Sequence, residues 1–283
     1  MTKTIYAPGV FTVSKPQIDA EGILEWARYN GYEASEQKVL YALLDNMKSG
    51  AVSASDGMVE LCARFCYRAF RSGRPSAEHI YNLLESGHGS VLAHVQMTLA
   101  IQGVSRTLTH ELVRHHVGVN PSQESQRYVD AEDLNFVVPP LLLWAWKAIS
   151  KDKSGYAEQE WLTKQKLRVF AYVQEQEFLI ETLSKNNPFG NTESLKKRVN
   201  EAARCHLPGC SETRLTWTMN MRAARDILGN PSKRGGEGAD LEIRRLALAM
   251  LEKFKGVAPL IFQDFEPVEM PVINGIKSKF GGV

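Results

Sequence analysis

Residues Val95 to Ile101 place Val95, Met97, Leu99 and Ile101 on one side of an extended chain and Gln96, Thr98 and Ala100 on the other. Strict alternation of this kind is the period of a strand with one buried face. A few residues later the period changes. Val104, Leu108 and Leu112 recur at every fourth position, and so does the cationic series Arg106, His110 and Arg114. This spacing predicts a helix over Val104–His116 that packs one face and carries positive groups on another. Asn120-Pro121 then ends helical geometry, because the proline ring disfavours the α conformation at the residue before it. The polar run Ser122 to Arg127 follows as a loop or a fresh helix start.

The rest of the chain reads as helix-rich with a few strands. Glu36–Lys48, Gly57–Arg71 and Ala77–Glu85 have helical patterns, as do Gly155–Lys185, Thr192–His206 and Ala239–Lys255. Phe136-Val137-Val138, closed by Pro139-Pro140, is a short strand. Arg214 to Asn220 is another, with Leu215, Trp217 and Met219 alternating against Arg214, Thr216 and Thr218. Ser232 to Gly238, rich in glycine and charge, has the character of a mobile loop at a site.

Between Arg114 and Tyr128 lie two arginines, two adjacent histidines and two serines. Hydroxyls, backbone N–H groups at a turn and guanidinium forks are what a phosphate ester needs, and arginine adds bidentate, charge-assisted bonds. With a formal charge of only +2, any basic site must be local, which argues against a general nucleic-acid surface and against a helical DNA-binding module. A hydrophobic content of 43% over 283 residues supports a substantial core. No apolar run has the length of a membrane span and no signal-peptide pattern opens the chain, so a cytoplasmic protein is expected. Cys62 and Cys66 lie one helical turn apart and Cys205, His206 and Cys210 offer further ligands, yet the spacing is not that of a common zinc module. Cys62 and Cys66, within the amphipathic stretch Leu61 to Phe70, read as small core residues, and no metal site is expected.

Gly87-His88-Gly89-Ser90-Val91-Leu92-Ala93-His94, then Gly103 to Arg106 leading into Arg114-His115-His116 and Ser125-Gln126-Arg127-Tyr128, resembles the signature region of the flavin-dependent thymidylate synthases. That family carries Arg-His-Arg, seven residues, then Ser-x-Arg-Tyr. Here His116 replaces the second arginine and one extra residue precedes Ser125. Further blocks resemble the family in the same order: Glu201 to Arg204 with Leu207-Pro208, Asn220-Met221-Arg222 at a helix start, and Arg234 with Ala239 to Arg244, offset by about three extra residues around Pro231. Residues 1–75 and 140–195 carry no such motif.

The resemblance implies an α+β, ThyX-like fold, helix-rich with a small mixed or antiparallel sheet, over one domain spanning 1–283, assembled as a homotetramer. It implies thymidylate synthesis: the one-carbon unit of 5,10-methylenetetrahydrofolate passes to dUMP, with FAD as cofactor and NADPH as reductant. Carried over position by position, Ser125, Gln126 and Arg127 would hold the nucleotide, with Arg204 reaching in from a neighbouring subunit and Glu111, Arg114 and Gln123 beside it. His88, Ser90, Arg114, His115, His116, Gln123, Asn220, Arg222 and Asp226 would line the flavin. Arg234 would touch the substrate and stabilise negative charge on the pyrimidine ring, as a guanidinium charged at every working pH can.

Three departures bear on the substrate. Glu111 stands where the family has Gln, Asp226 where Asn is usual, and Ala93 in place of a common Glu. An aspartate beside a pyrimidine accepts a bond from the amine of cytosine where asparagine would bond a uracil carbonyl. A hydroxymethylase or methylase acting on another pyrimidine nucleotide, dCMP for example, therefore stands as an alternative. So does an inactive flavin- or nucleotide-binding homologue, with Glu111 and His116 as its lesions.

Overall fold

The computed structural model describes residues 2–70, 73–131, 134–229 and 233–283. Pro231 and Ser232, invoked for the insertion and for the start of the glycine-rich loop, lie outside the described residues, as does Arg71. The chain gathers into two compact units, one of Met1–Gly9, Ile101–Arg114 and Ser122–Thr216, the other of Val10–Ala100, His115–Pro121 and Trp217–Val283.

In chain order the strands are β1 (Thr4–Ile5), β2 (Gly9–Ser14), β3 (Gln96–Ser105), β4 (Val119–Gln123), β5 (Phe136–Val137), β6 (Glu212–Asn220), β7 (Phe265–Val268) and β8 (Gly275–Ser278). The helices are α1 (Ala20–Tyr29), α2 (Ala34–Ser49), α3 (Ala54–Tyr67), α4 (Ser76–Glu85), α5 (Arg106–Leu112), α6 (Pro140–Lys147), α7 (Lys151–Leu183), α8 (Thr192–Ala203), α9 (Met221–Gly229) and α10 (Leu241–Val257). Helices dominate, and the sheets are small, with the orders β2-β3-β6-β4, β1-β5 and β7-β8. The fold is α+β, as the motif blocks imply.

The two alternating segments behave as their period demands. Met97, Leu99, Ile101, Trp217 and Met219 are all buried on β3 and β6, and the Thr98 and Thr218 hydroxyls meet at 2.9 Å on the other face.

The helix predicted over Val104–His116 is shorter at both ends. Val104 still belongs to β3, and Ser105 caps the helix by accepting from the Leu108 N–H at 3.0 Å, so α5 starts at Arg106. It stops at Leu112, which leaves His115 and His116 in the connection to β4. The Asn120-Pro121 break falls inside a strand. β4 lies at the edge of its sheet, where a missing N–H costs no ladder bond.

In the first unit, α7 and α8 pack around Ala131, Tyr172 and Ala203, with Gln176 donating to Tyr172 Oη at 2.8 Å and to Asn200 Oδ1 at 2.6 Å. In the second, α1 to α3 enclose Leu40, Leu43, Leu44, Leu61 and Phe70. There α9 is tied to the C-terminal strands by a buried ion pair. Arg225 donates to Asp264 at 2.8 and 3.1 Å and to the Gly281 carbonyl at 3.0 Å. Burial would raise the Asp264 carboxyl, but bonds and charge from Arg225, with the Phe280 N–H and Ser278 hydroxyl, outweigh it and hold the group below its ordinary value.

Candidate functional site

In the first unit the nominated residues gather around the end of β4. Gln123 donates from Nε2 to Thr109 Oγ1 at 3.0 Å and Thr213 Oγ1 at 3.1 Å, so α5 and β6 together fix its amide. Ser125 and Gln126 line a cleft of about 140 Å3 with Glu124, Asp130, Glu212 and Arg214. Ser125 Oγ accepts from the Arg127 N–H at 3.3 Å. The Arg127 guanidinium pairs with Glu201 at 2.8 Å, and its buried Nε–H has no acceptor among the described residues. Arg204 is exposed just past α8, Glu111 is half-buried on α5, and Arg114 is exposed two residues beyond that helix. Tyr128 turns outward under Lys197, whose ammonium lies 4.6 Å from the ring centre.

Arg106, noted in the sequence only as part of a cationic stripe, belongs to this cluster. Its guanidinium donates to the Glu124 carbonyl at 3.1 Å. Burial, and then the positive charge of Arg204, push it below the usual arginine range, with Glu124 opposing. A half-buried guanidinium facing the positive charge of an exposed one makes a place where an anion is favoured.

In the second unit Asn220 holds the corner between β6 and α9. Its Oδ1 accepts from the Ala223 N–H at 2.8 Å, capping α9, and its own N–H bonds the Gly118 carbonyl at 2.9 Å. Gly118 has φ +71°, and a Cβ there would lie 2.6 Å from Asn220 Nδ2, so the turn after the two histidines needs a glycine on both counts. Asn220, Arg222 and Asp226 line a cavity of about 480 Å3 together with Ala93, Val117 and Ala223. Asp226 pairs with Lys233 at 3.2 Å.

His88 is exposed and stacks on Tyr67 with ring centres 6.0 Å apart, and Ser90 is exposed in the 3-10 turn Gly89–His94. Gly89 and Arg222 meet at one atom that sequence reasoning missed. The Val283 main-chain oxygen accepts from Arg222 Nε at 3.0 Å and sits where a Cβ on residue 89 would be. His116 is exposed. His115 and Arg234 come together: Arg234 Nε donates to His115 Nε2 at 2.9 Å. Because arginine only donates, that ring nitrogen is the unprotonated one.

Cys62, Cys66, Cys205 and Cys210 form no disulfide, and Cys66, expected from the sequence as a small core residue, is exposed at the surface of α3 because it falls on the helix face away from the packed side. Cys210 donates from Sγ to Gln165 Oε1 at 3.5 Å. Burial, then Cys66, push the Cys62 thiol up. Among the described residues no group of three or more His, Cys, Asp or Glu side chains is placed to hold a metal ion, and no helix is long and apolar enough to cross a membrane.

The fold has a counterpart of known structure. A UMP/dUMP methylase, PolB, from Streptomyces cacaoi bound with 5-Br UMP shares the fold at a TM-score of 0.56 and 19% identity, over 93% of this chain and 96% of that one. In sequence, residues 43–260 match the family model described as thymidylate synthase complementing protein. A flavin-dependent thymidylate synthase of Mycobacterium sp. (strain JLS) is 36% identical over 218 residues, covering 74% of this chain and 79% of the relative. One from Corynebacterium diphtheriae is 36% identical over 220 residues, covering 76% and 81%. The chain belongs to the thymidylate synthase complementing protein family, whose matching relatives carry the name flavin-dependent thymidylate synthase.

Proposed function

We propose that the protein transfers the one-carbon unit of 5,10-methylenetetrahydrofolate to C5 of dUMP and releases dTMP, using FAD as cofactor and NADPH as reductant. The observation that carries this reading is the bond from Arg234 to His115, 2.9 Å long and spanning 119 positions, which joins the arginine nominated for catalysis to the centre of the Arg114-His115-His116 signature. A guanidinium whose Nε–H is committed to a ring nitrogen has a fixed plane. A cation fixed before the reaction stabilises negative charge developing on the pyrimidine without reorganising.

Residues 1–283 act as a single functional domain in this reading. Ser125, Gln126, Arg127, Arg204 and Arg106 bind the nucleotide, with Glu111, Arg114, Gln123 and Arg234 also touching it. The orphaned Arg127 Nε–H and the half-buried Arg106 guanidinium, destabilised by burial and by the charge of Arg204, support an anionic ligand there. Bound FAD supplies the hydride that reduces the transferred carbon. Apolar Ala93, Val117 and Ala223 beside polar Asn220 and Arg222 suit a flat ring system with a few hydrogen-bonding edges. We assign His88, Ser90, Arg114, His115, His116, Gln123 and Asp226 to the same cofactor. The protein works in the cytoplasm as a homotetramer, with Arg204 completing a neighbouring subunit's nucleotide site.

Uracil is preferred to cytosine. Asp226, the residue suited to reading a cytosine amine, has Lys233 as a competing partner. The test is to incubate the purified protein with FAD, NADPH and methylenetetrahydrofolate, offer dUMP and dCMP in parallel, and identify the products by mass. The expected product is dTMP from dUMP alone. Flavin binding without any product supports the inactive homologue, and a product from dCMP alone moves the assignment to a cytidylate hydroxymethylase or methylase.

A further inference from the structure

Residues 279–283 return to the cavity assigned to the flavin, and they lie outside the stretch 43–260 that matches the family. Their root is firmly held. The Phe280 N–H donates to Asp264 Oδ2 at 3.1 Å, the Gly281 N–H donates to Ser278 Oγ at 2.7 Å, and the Gly281 carbonyl accepts from the buried Arg225 guanidinium at 3.0 Å. The Phe280 ring stands edge-on to Tyr81 with centres 5.1 Å apart. Past Gly281 the holding all but stops. Among the described residues Gly282 makes no hydrogen bond, and Val283 has one polar contact, its main-chain oxygen on Arg222 Nε at 3.0 Å.

That contact sits in a narrow place. A Cβ on Gly89 would lie 2.1 Å from the Val283 oxygen, and a Cβ on Gly282 would lie 2.8 Å from Asp226 Oδ1 and 2.9 Å from Asp226 Cα. The tip is thus threaded between the 3-10 turn that carries Ser90 and the helix α9 that carries Arg222 and Asp226. Gly282, Val283, Arg222 and Asp226 line the same cavity of about 480 Å3. Arg222 is exposed, and among the described residues the Val283 oxygen is its only acceptor. A phosphate, which a guanidinium can bond through two parallel N–H groups, is a better acceptor than one main-chain oxygen.

We propose that residues 281–283 form a strap whose tip occupies the Arg222 bond that the diphosphate of the cofactor would use, so that FAD enters as the tip swings aside. The inference rests on the assignment of Arg222 to the flavin. The joint for the movement is the pair Gly281-Gly282, next to the fixed root. Gly281 has φ +62°, and two successive glycines let the backbone turn with little steric cost. While the tip is in place the site does not accept FAD, so the apparent affinity is reduced by the fraction of chains whose tip is out.

The test follows the quenching of flavin fluorescence in stopped flow as FAD binds the purified protein. Gly89→Ala and Gly282→Ala press on the tip from opposite sides, and neither glycine has a positive φ, so alanine suits both backbones. A third variant ends at Gly281 and keeps the bonds of the root. Each is expected to bind FAD at least about threefold faster, with a matching fall in Kd and an unchanged dissociation rate, because the tip has no part in the bound state. The three disturb the strap at different points, so if one fails to fold the others decide. A strap that instead walls the cofactor in would give faster dissociation and a larger Kd. Either that result or unchanged association in the shortened chain overturns the proposal. Arg222→Gln tests the site itself and is expected to raise Kd about tenfold or more. An unaltered Kd there removes Arg222 from the flavin and the strap with it, whereas a raised Kd beside unaltered association in the other variants sinks the strap alone.

Discussion

Arg234 donates a charge-assisted bond to His115, and its geometry separates guanidinium from simple positive charge. Lysine keeps the charge but presents one compact ammonium, which cannot bond the imidazole and face a ring anion in one plane. Arg234→Lys should therefore lower kcat by about a hundredfold, the scale seen when one fixed electrostatic donor is lost from a transition state, while dUMP affinity changes little. Stopped-flow turnover with calorimetric dUMP binding checks it, and an equal loss in both would recast Arg234 as a binding residue only. At this scale the sequence nominated residues that the structure brings together: Ser125 and Gln126 line one cleft, and Arg234 meets His115. It was silent on Arg106 and on the Val283 oxygen. Arg106 reads as one of many helix-face cations until burial beside Arg204 singles it out, and a main-chain oxygen has no sequence signature.

The elements that carry these residues depend on two joints. One is the Gly118 turn. With φ +71° and Asn220 against it, Gly118→Ala should destabilise the protein by about 1 kcal/mol or more through strain and should also displace Asn220, which thermal melting and a flavin titration would detect together. The other is the Arg225–Asp264 pair that fastens α9 to the strands after α10. Arg225→Met leaves a buried carboxylate without its cation, so a loss of about 3–5 kcal/mol is expected from denaturant unfolding. The pH dependence has a definite sign. Asp264 titrates below its unfolded value, so the stability it contributes is complete above the unfolded value and is lost as pH falls through the folded one. In Asp264→Asn the steep acid loss below about pH 4 should flatten, and an unchanged acid limb would exclude this pair as its source. Long periodic segments such as α7, α8 and β6 were legible within a few residues of their ends. β4 was not, because Asn-Pro argues against a strand and only its place at a sheet edge makes the proline harmless. Nor were β7 and β8, an antiparallel pair of four residues each, too short to show a period of their own.

For the molecule as a whole, the chemical route leaves a mark on the cysteines. A thymidylate synthase that attacks the pyrimidine with sulfur needs a thiolate poised in an electropositive, partly exposed setting. Cys62 fails this requirement, since burial and the neighbouring Cys66 disfavour its thiolate. Cys66 and Cys205 are exposed; Cys66 lies outside the motif blocks that carried the resemblance, and Cys205 fills the gap between Arg204 and Leu207 without being one of the matched residues. In the proposed reaction flavin supplies the reducing power and Arg234 the polarising charge, and no protein nucleophile is required. A chain with all four cysteines replaced by alanine should retain turnover within about threefold once its modest loss of packing is allowed for, because removing a buried thiol costs little more than a small cavity while removing a nucleophile costs many orders of magnitude. Four single variants assayed beside it make the result decisive. If one of them alone abolishes dTMP formation while still binding flavin, that sulfur takes part in the chemistry and the division of labour between flavin and arginine must be redrawn.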